Sequence, residues 1–123
     1  EQAAAMAAEA YGRIADIGVV MVTAGPGCIN ALNGVLGAFV DSSPLLILSG
    51  ANNSPEIAYM KKYNMRQVGL QGFNIEAVAT PIVKKFYQVK TGDEIKEAYD
   101  LATTDRKGPV WLEIPLNIQA KEL

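Results

Sequence analysis

The stretch VVMVTAGPGCIN, Val19 to Asn30, runs from apolar, β-branched chain straight into Gly25, Pro26 and Gly27. Its first five residues are apolar on both alternating faces, which predicts a buried strand in a parallel sheet covered by helices. From Cys28 to Phe39, the residues Ile29, Leu32, Val35, Leu36 and Phe39 recur at helical spacing. Gly34 and Gly37 within that segment predict close packing against a neighbour. Ligands of open α/β sheets lie beyond the carboxyl ends of strands, and TAGPG stands at such an end, leading into a helix.

Working outward, the alanine-rich segment Glu1 to Ile14 has a strong helix-forming composition, followed by a turn at Asp16 to Gly18. Downstream, Asp41, Ser42, Ser43 and Pro44 stop the second helix, and LLILSG, Leu45 to Gly50, reads as another short apolar strand. Ala51 to Gly72 is polar and without a clean period, so it is expected to be a long excursion holding no more than one helical turn. Asn74 to Val83 predicts a short helix interrupted near Pro81. KKFYQV predicts a half-buried strand, Asp93 to Thr103 an amphipathic helix, and GPVWLEIP a final strand. Thr91 is the expected N-cap of that last helix, with Glu94 completing a capping box. Alternating strands and helices predict an α/β fold with parallel strands.

The composition narrows the chemistry. In 123 residues with half apolar content there is room for one core and one domain. Eleven basic residues against thirteen acidic ones, spread along the chain, leave no electrostatic footprint for nucleic acid or an anionic membrane. Histidine is absent and Cys28 is the single cysteine, which removes Ser-His-Asp triads, Cys-His pairs and thiolate or histidine metal sites. The same cysteine count, with apolar runs too short to span a bilayer, points to a cytoplasmic protein.

The glycine loop taken alone is open to several readings. Gly25 and Gly27 let a flat ligand approach the main chain, and Pro26 stiffens the turn without offering an N–H. No lysine follows where a P-loop needs one. Asn30 occupies the third glycine position of a dinucleotide fingerprint, and LLILSGANNS has no acidic residue, so a nicotinamide site is poorly supported. A ligandless strand-to-helix connection fits the loop equally well.

Five segments together narrow the choice: Glu1 and Gln2 opening the alanine-rich helix, VVMVTAGPGCIN, FVDSSPLLILSG, GLQGFNIEAVATPIVKKF and GPVWLEIPLNIQ. In this order and at these intervals the chain resembles the pyrimidine-binding domain of thiamine diphosphate-dependent enzymes, nearest the acetolactate synthase group. The resemblance covers residues 1–119, with 120–123 expected to start a linker. It implies a three-layer α/β sandwich with a mainly parallel sheet, lacking the family's usual first strand and helix. It also implies that Glu1 touches N1′ of the cofactor's aminopyrimidine, favouring the imino tautomer whose nitrogen can take the thiazolium C2 proton. The cofactor carries the carbanion chemistry and the protein orients and tunes it. Burial would favour a protonated Glu1 and a helix N-terminus an ionised one, and the task calls for burial to prevail. By the same resemblance Gly25, Pro26, Gly27 and Asn30 line the pyrimidine pocket, and Gln71 of GLQG reaches the reacting centre.

Other residues carry plainer expectations. Cys28 is expected to pack rather than attack. Trp111 and Phe39 are expected in the core. Lys61, Lys62 and Arg66 are expected to form a solvated basic edge rather than meet an anionic substrate.

The Gly-Asp-Gly motif with which the family holds magnesium and the cofactor's diphosphate does not occur in this sequence. The implied cofactors are therefore thiamine diphosphate and Mg2+, the metal bound by a domain not present here, with no residue pointing to FAD. The implied partners are a small 2-keto acid and the diphosphate-binding domain of another subunit, in a homodimer or tetramer built through the pyrimidine domain. The chain opens in a helix and ends like the exit from a sheet, so it is expected to be a piece of a longer enzyme, half a site and inactive alone. A non-catalytic binding or assembly module of the same fold is the alternative.

Overall fold

The computed structural model describes residues 1–121. Four strands, β1 (Gly18–Val22), β2 (Leu45–Ala51), β3 (Lys85–Gln88) and β4 (Pro109–Pro115), form one sheet in the order β1-β2-β4-β3. Every pairing is parallel, with Val20 opposite Ile47, Ile47 opposite Trp111 and Phe86 opposite Trp111. The helices are α1 (Gln2–Gly12), α2 (Pro26–Asp41), α3 (Ser54–Lys62), α4 (Glu76–Ala79), α5 (Asp93–Thr103) and α6 (Leu116–Gln119). The three-layer α/β sandwich expected from the sequence is present.

The period of two along each strand sorts the core onto two faces. Val20, Val22, Leu45, Ile47 and Trp111 point toward α1 and α2, where they meet Ala5, Ala8, Cys28, Ala31, Val35 and Ala38. Leu46, Val110 and Leu112 point the other way, against Ala98 and Ala102 of α5. Small residues on the inner stripes of α1 and α2 let the helices lie close. A Cβ on Gly34 would come within 2.5 Å of the Ala5 backbone, so close packing is realised there, whereas Gly37 has ordinary contacts with Glu9. Buried Glu9 accepts from Ser43 Oγ at 3.1 Å and Arg13 Nε at 2.5 Å, and Arg13 also pairs with Asp41, tying the two helix ends together.

Several sequence expectations need correction. β1 is not buried on both faces: it is an edge strand, and Val19 and Met21 are 53% and 77% exposed because α5 packs over β4 and β2 instead. Phe39 is not in the core but 39% exposed near the end of α2. The helix after the glycine loop starts at Pro26, two residues early, with proline at its first position where a missing N–H costs nothing. The polar excursion holds α3, more than two turns long. Pro55 lies in its first turn, Asn53 is its N-cap, and the Glu56 carboxylate accepts from the Asn53 N–H at 3.0 Å. Thr91 does not cap α5; Gly92 does, and Glu94 accepts from the Lys90 and Thr91 N–H groups. Asn117 to Gln119 lie in the short helix α6. Of the expected linker at 120–123, only Ala120 and Lys121 are among the described residues.

Candidate functional site

Each part of the site follows from one feature of the chain. β1 and β2 end side by side, and the backbone leaves β1 through Thr23 and Ala24 into Gly25, the N-cap of α2. Gly25 has φ +65°, a conformation that favours glycine. The space a side chain would take there is filled by the backbone of Gln71, which brings the long loop onto the glycine turn.

Gly27, the second residue of α2, serves the other side. A Cβ there would lie 3.1 Å from Glu1 Oε1 and 2.8 Å from Thr23 Cγ2, so its absence lets the Glu1 carboxylate rest on the α2 backbone. Asn30 Nδ2 donates to Glu1 Oε2 at 3.5 Å. Glu1 is exposed on this chain, so the burial expected of it is not supplied by these residues.

Between the glycine turn and the long loop lies an open cleft of about 590 Å³, lined by Gly25, Pro26, Ile29, Asn30, Arg66, Gln67, Gln71, Gly72 and Phe73. Glu1 and Gly27 stand beside it, joined to it through Asn30. All six residues singled out from the sequence, Glu1, Gly25, Pro26, Gly27, Asn30 and Gln71, thus meet in one place. The cleft offers apolar walls from Pro26, Ile29 and Phe73 and neutral amides from Asn30, Gln67 and Gln71.

Sequence reading missed Ile29, Phe73 and Asn52. Asn52, at the end of β2, fills the space where side chains on Gly69 or Gly72 would go. It thereby brackets the small turn closed by the Val68 N–H donating to the Gly72 carbonyl at 3.0 Å. Gln71 sits inside that turn with φ +63°. The two glycines at 69 and 72 were the available signal, since something must occupy the space they leave.

Behind the cleft the chemistry is quiet. Cys28 is buried, its Sγ 3.3 Å from the Thr23 carbonyl, and burial pushes its thiol up to about 11, so it packs and does not attack. Glu113, at the carboxyl end of β4, is 5% exposed. Burial raises its carboxyl above the usual range, against the opposing effect of the Gln88 amide donating to it at 3.0 Å. A raised native value means the buried acid is tolerated when protonated and destabilises the fold as pH rises through that value. Glu113→Gln is therefore expected to raise the melting temperature at about pH 7, with the gain fading as the pH falls to about 4, where the native carboxyl is already neutral. Thermal melts across that range check this.

This arrangement coincides with a family. The model for thiamine pyrophosphate enzyme, N-terminal TPP binding domain, matches residues 1–77, which include the glycine turn, Glu1 and Gln71. The chain belongs to that family. Over 98% of its length it is 38% identical to the acetolactate synthase large subunit of Buchnera aphidicola subsp. Schizaphis graminum, covering 21% of that protein. It is 37% identical over 96% of its length to the acetolactate synthase isozyme 3 large subunit of Escherichia coli K12, covering 20% of it. It is also 35% identical over its whole length to a probable acetolactate synthase large subunit of Methanocaldococcus jannaschii, again covering 20%. The chain thus spans about a fifth of these relatives, as a TPP binding domain of this family. Among the described residues no helix is long and apolar enough to cross a membrane, and no three acidic or cysteine side chains gather as a metal site would need.

Proposed function

We propose that this chain is the pyrimidine-binding half of a thiamine diphosphate-dependent 2-keto acid carboligase or decarboxylase resembling acetolactate synthase. The observation that carries the reading is the Glu1 carboxylate lying on Gly27 and Asn30 at the rim of an apolar-walled cleft.

The residues present fit an aminopyrimidine. Pro26, Ile29 and Phe73 give flat apolar surface, the missing Cβ of Gly27 leaves a place for a carboxyl group, and Glu1 supplies one that can share a proton with a ring nitrogen. When bound, thiamine diphosphate supplies a nucleophilic carbon and an electron sink for 2-keto acid chemistry. Glu1 holds N1′ and shifts the proton balance of the ring at that atom. Asn30 orients Glu1, and Gln71 offers a neutral amide that hydrogen-bonds a bound substrate without altering charge. In this reading magnesium and the diphosphate are held by a domain outside this chain, on a partner subunit of a cytoplasmic homodimer or tetramer. That domain closes over the cleft and buries Glu1, and this chain alone turns nothing over.

Calorimetric titration of thiamine diphosphate with magnesium into the full-length polypeptide, with NAD as the contrasting ligand, tests the reading. Saturable binding of the thiamine cofactor alone is the expected result.

A further inference from the structure

Three basic residues of the segment MKKYNMRQ, Met60 to Gln67, separate in the structure. Lys61 Nζ pairs with Glu76 Oε2 at 2.6 Å, and Lys62 Nζ lies 5.2 Å from the Tyr63 ring centroid. Neither lines the cleft; Arg66 does, and it is the one charged side chain among the lining residues. Among the described residues Arg66 has no carboxylate within ion-pair distance, although Glu1 stands at the same cleft's rim beside Asn30. Arg66 lies on the loop whose closing turn Asn52 fills and whose Gln71 backbone abuts Gly25, so the loop is seated on the glycine turn.

The geometry points to Arg66 as a specificity-determining residue that selects an anionic acceptor, holding the carboxylate of the 2-keto acid that is retained in the product. This rests on the function proposed above. In decarboxylation of the donor 2-keto acid its carboxylate leaves as CO2, and the electron pair of the broken bond stays on the former keto carbon. A guanidinium gripping that carboxylate would stabilise the ground state more than the transition state and slow the step. The acceptor's carboxylate keeps its charge throughout, so a planar, bidentate cation can hold it from encounter to product. The neutral amides of Gln67 and Gln71 flanking Arg66 leave that charge undiminished.

The test uses the full-length enzyme loaded with thiamine diphosphate and magnesium, as wild type, Arg66→Gln and Arg66→Lys. Two readouts are taken: the KM for a 2-keto acid acceptor against a neutral aldehyde acceptor, and the equilibrium Kd of a 2-hydroxy-3-keto acid product against its methyl ester. Arg66→Gln is expected to weaken the acid acceptor and the acid product about 10- to 100-fold. It leaves the aldehyde and the ester within about twofold, and Arg66→Lys recovers part of the loss. Equal losses for charged and neutral ligands, or no loss for either, would overturn the assignment while cofactor binding persists. A wild type that binds no thiamine diphosphate would overturn the proposed function and this inference together.

Discussion

Replacing Glu1 by Gln in the full-length enzyme is expected to slow exchange of the thiazolium C2 proton by at least about 10²-fold, the scale on which a positioned acid or base acts. The substitution preserves size and leaves an amide against Gly27 and Asn30, but it removes the ionisable group that shifts the proton at N1′. Its structural cost should be small, because the amide keeps the size of the carboxyl group and the Glu1 side chain caps no helical N–H. Exchange measured by NMR beside a thermal melt separates the two effects. A large loss of exchange with an unchanged melt supports the role, and an unchanged exchange rate removes Glu1 from the mechanism.

The second large effect concerns the scaffold that sets the glycine turn. Trp111 is fully buried in the middle of the sheet, stacked on Phe86 with ring centroids 6.2 Å apart, and its Nε1 donates to Ser49 Oγ at 2.9 Å. Trp111→Ala removes that ring from between the sheet and α2, and about 3–5 kcal/mol of stability should go with it. The abandoned Ser49 hydroxyl adds about 1 kcal/mol or more. Trp111→Phe keeps most of the apolar volume and loses the hydrogen bond, so its cost should be a fraction of this. Denaturant titration of the three proteins checks the order. A loss below about 1 kcal/mol for Trp111→Ala would show that the core does not depend on the ring.

How far the sequence revealed this molecule depends on how local each feature is. The strands around Val20, Ile47 and Trp111 announce themselves because apolar runs bounded by Gly, Pro and Ser are local patterns. Their order across the sheet is not local, so nothing in Val19 or Met21 says that β1 is an edge with one bare face. The helix α3 escapes a periodicity search because Ile57 and Met60 are its only buried residues. Its signal lies in the cap, where Asn53, Pro55 and Glu56 spell out a helix start.

The candidate site divides the same way. Gly25, Pro26 and Gly27 are conspicuous in any reading, whereas Glu1 as an isolated residue is an ordinary first-turn carboxylate, and only the resemblance of five segments singles it out. The structure places it 3.1 Å from where a Gly27 side chain would begin, which no spacing in the sequence shows. Arg66 and Phe73 reach the cleft because their loop folds back onto the glycine turn, and Asn52 fills the space beneath it. Such placement depends on tertiary contact, and within residues 51–72 only Gly69 and Gly72 carry a local trace of it.

The most direct measurement is the calorimetric titration of thiamine diphosphate, with magnesium present, into the full-length polypeptide, set beside an identical titration of NAD. The glycine turn, the Glu1 carboxylate and the apolar wall of Pro26, Ile29 and Phe73 predict saturable binding of the thiamine cofactor and no heat from NAD. Binding of NAD, or a flat trace with thiamine diphosphate, would contradict the assignment of this cleft to the pyrimidine ring.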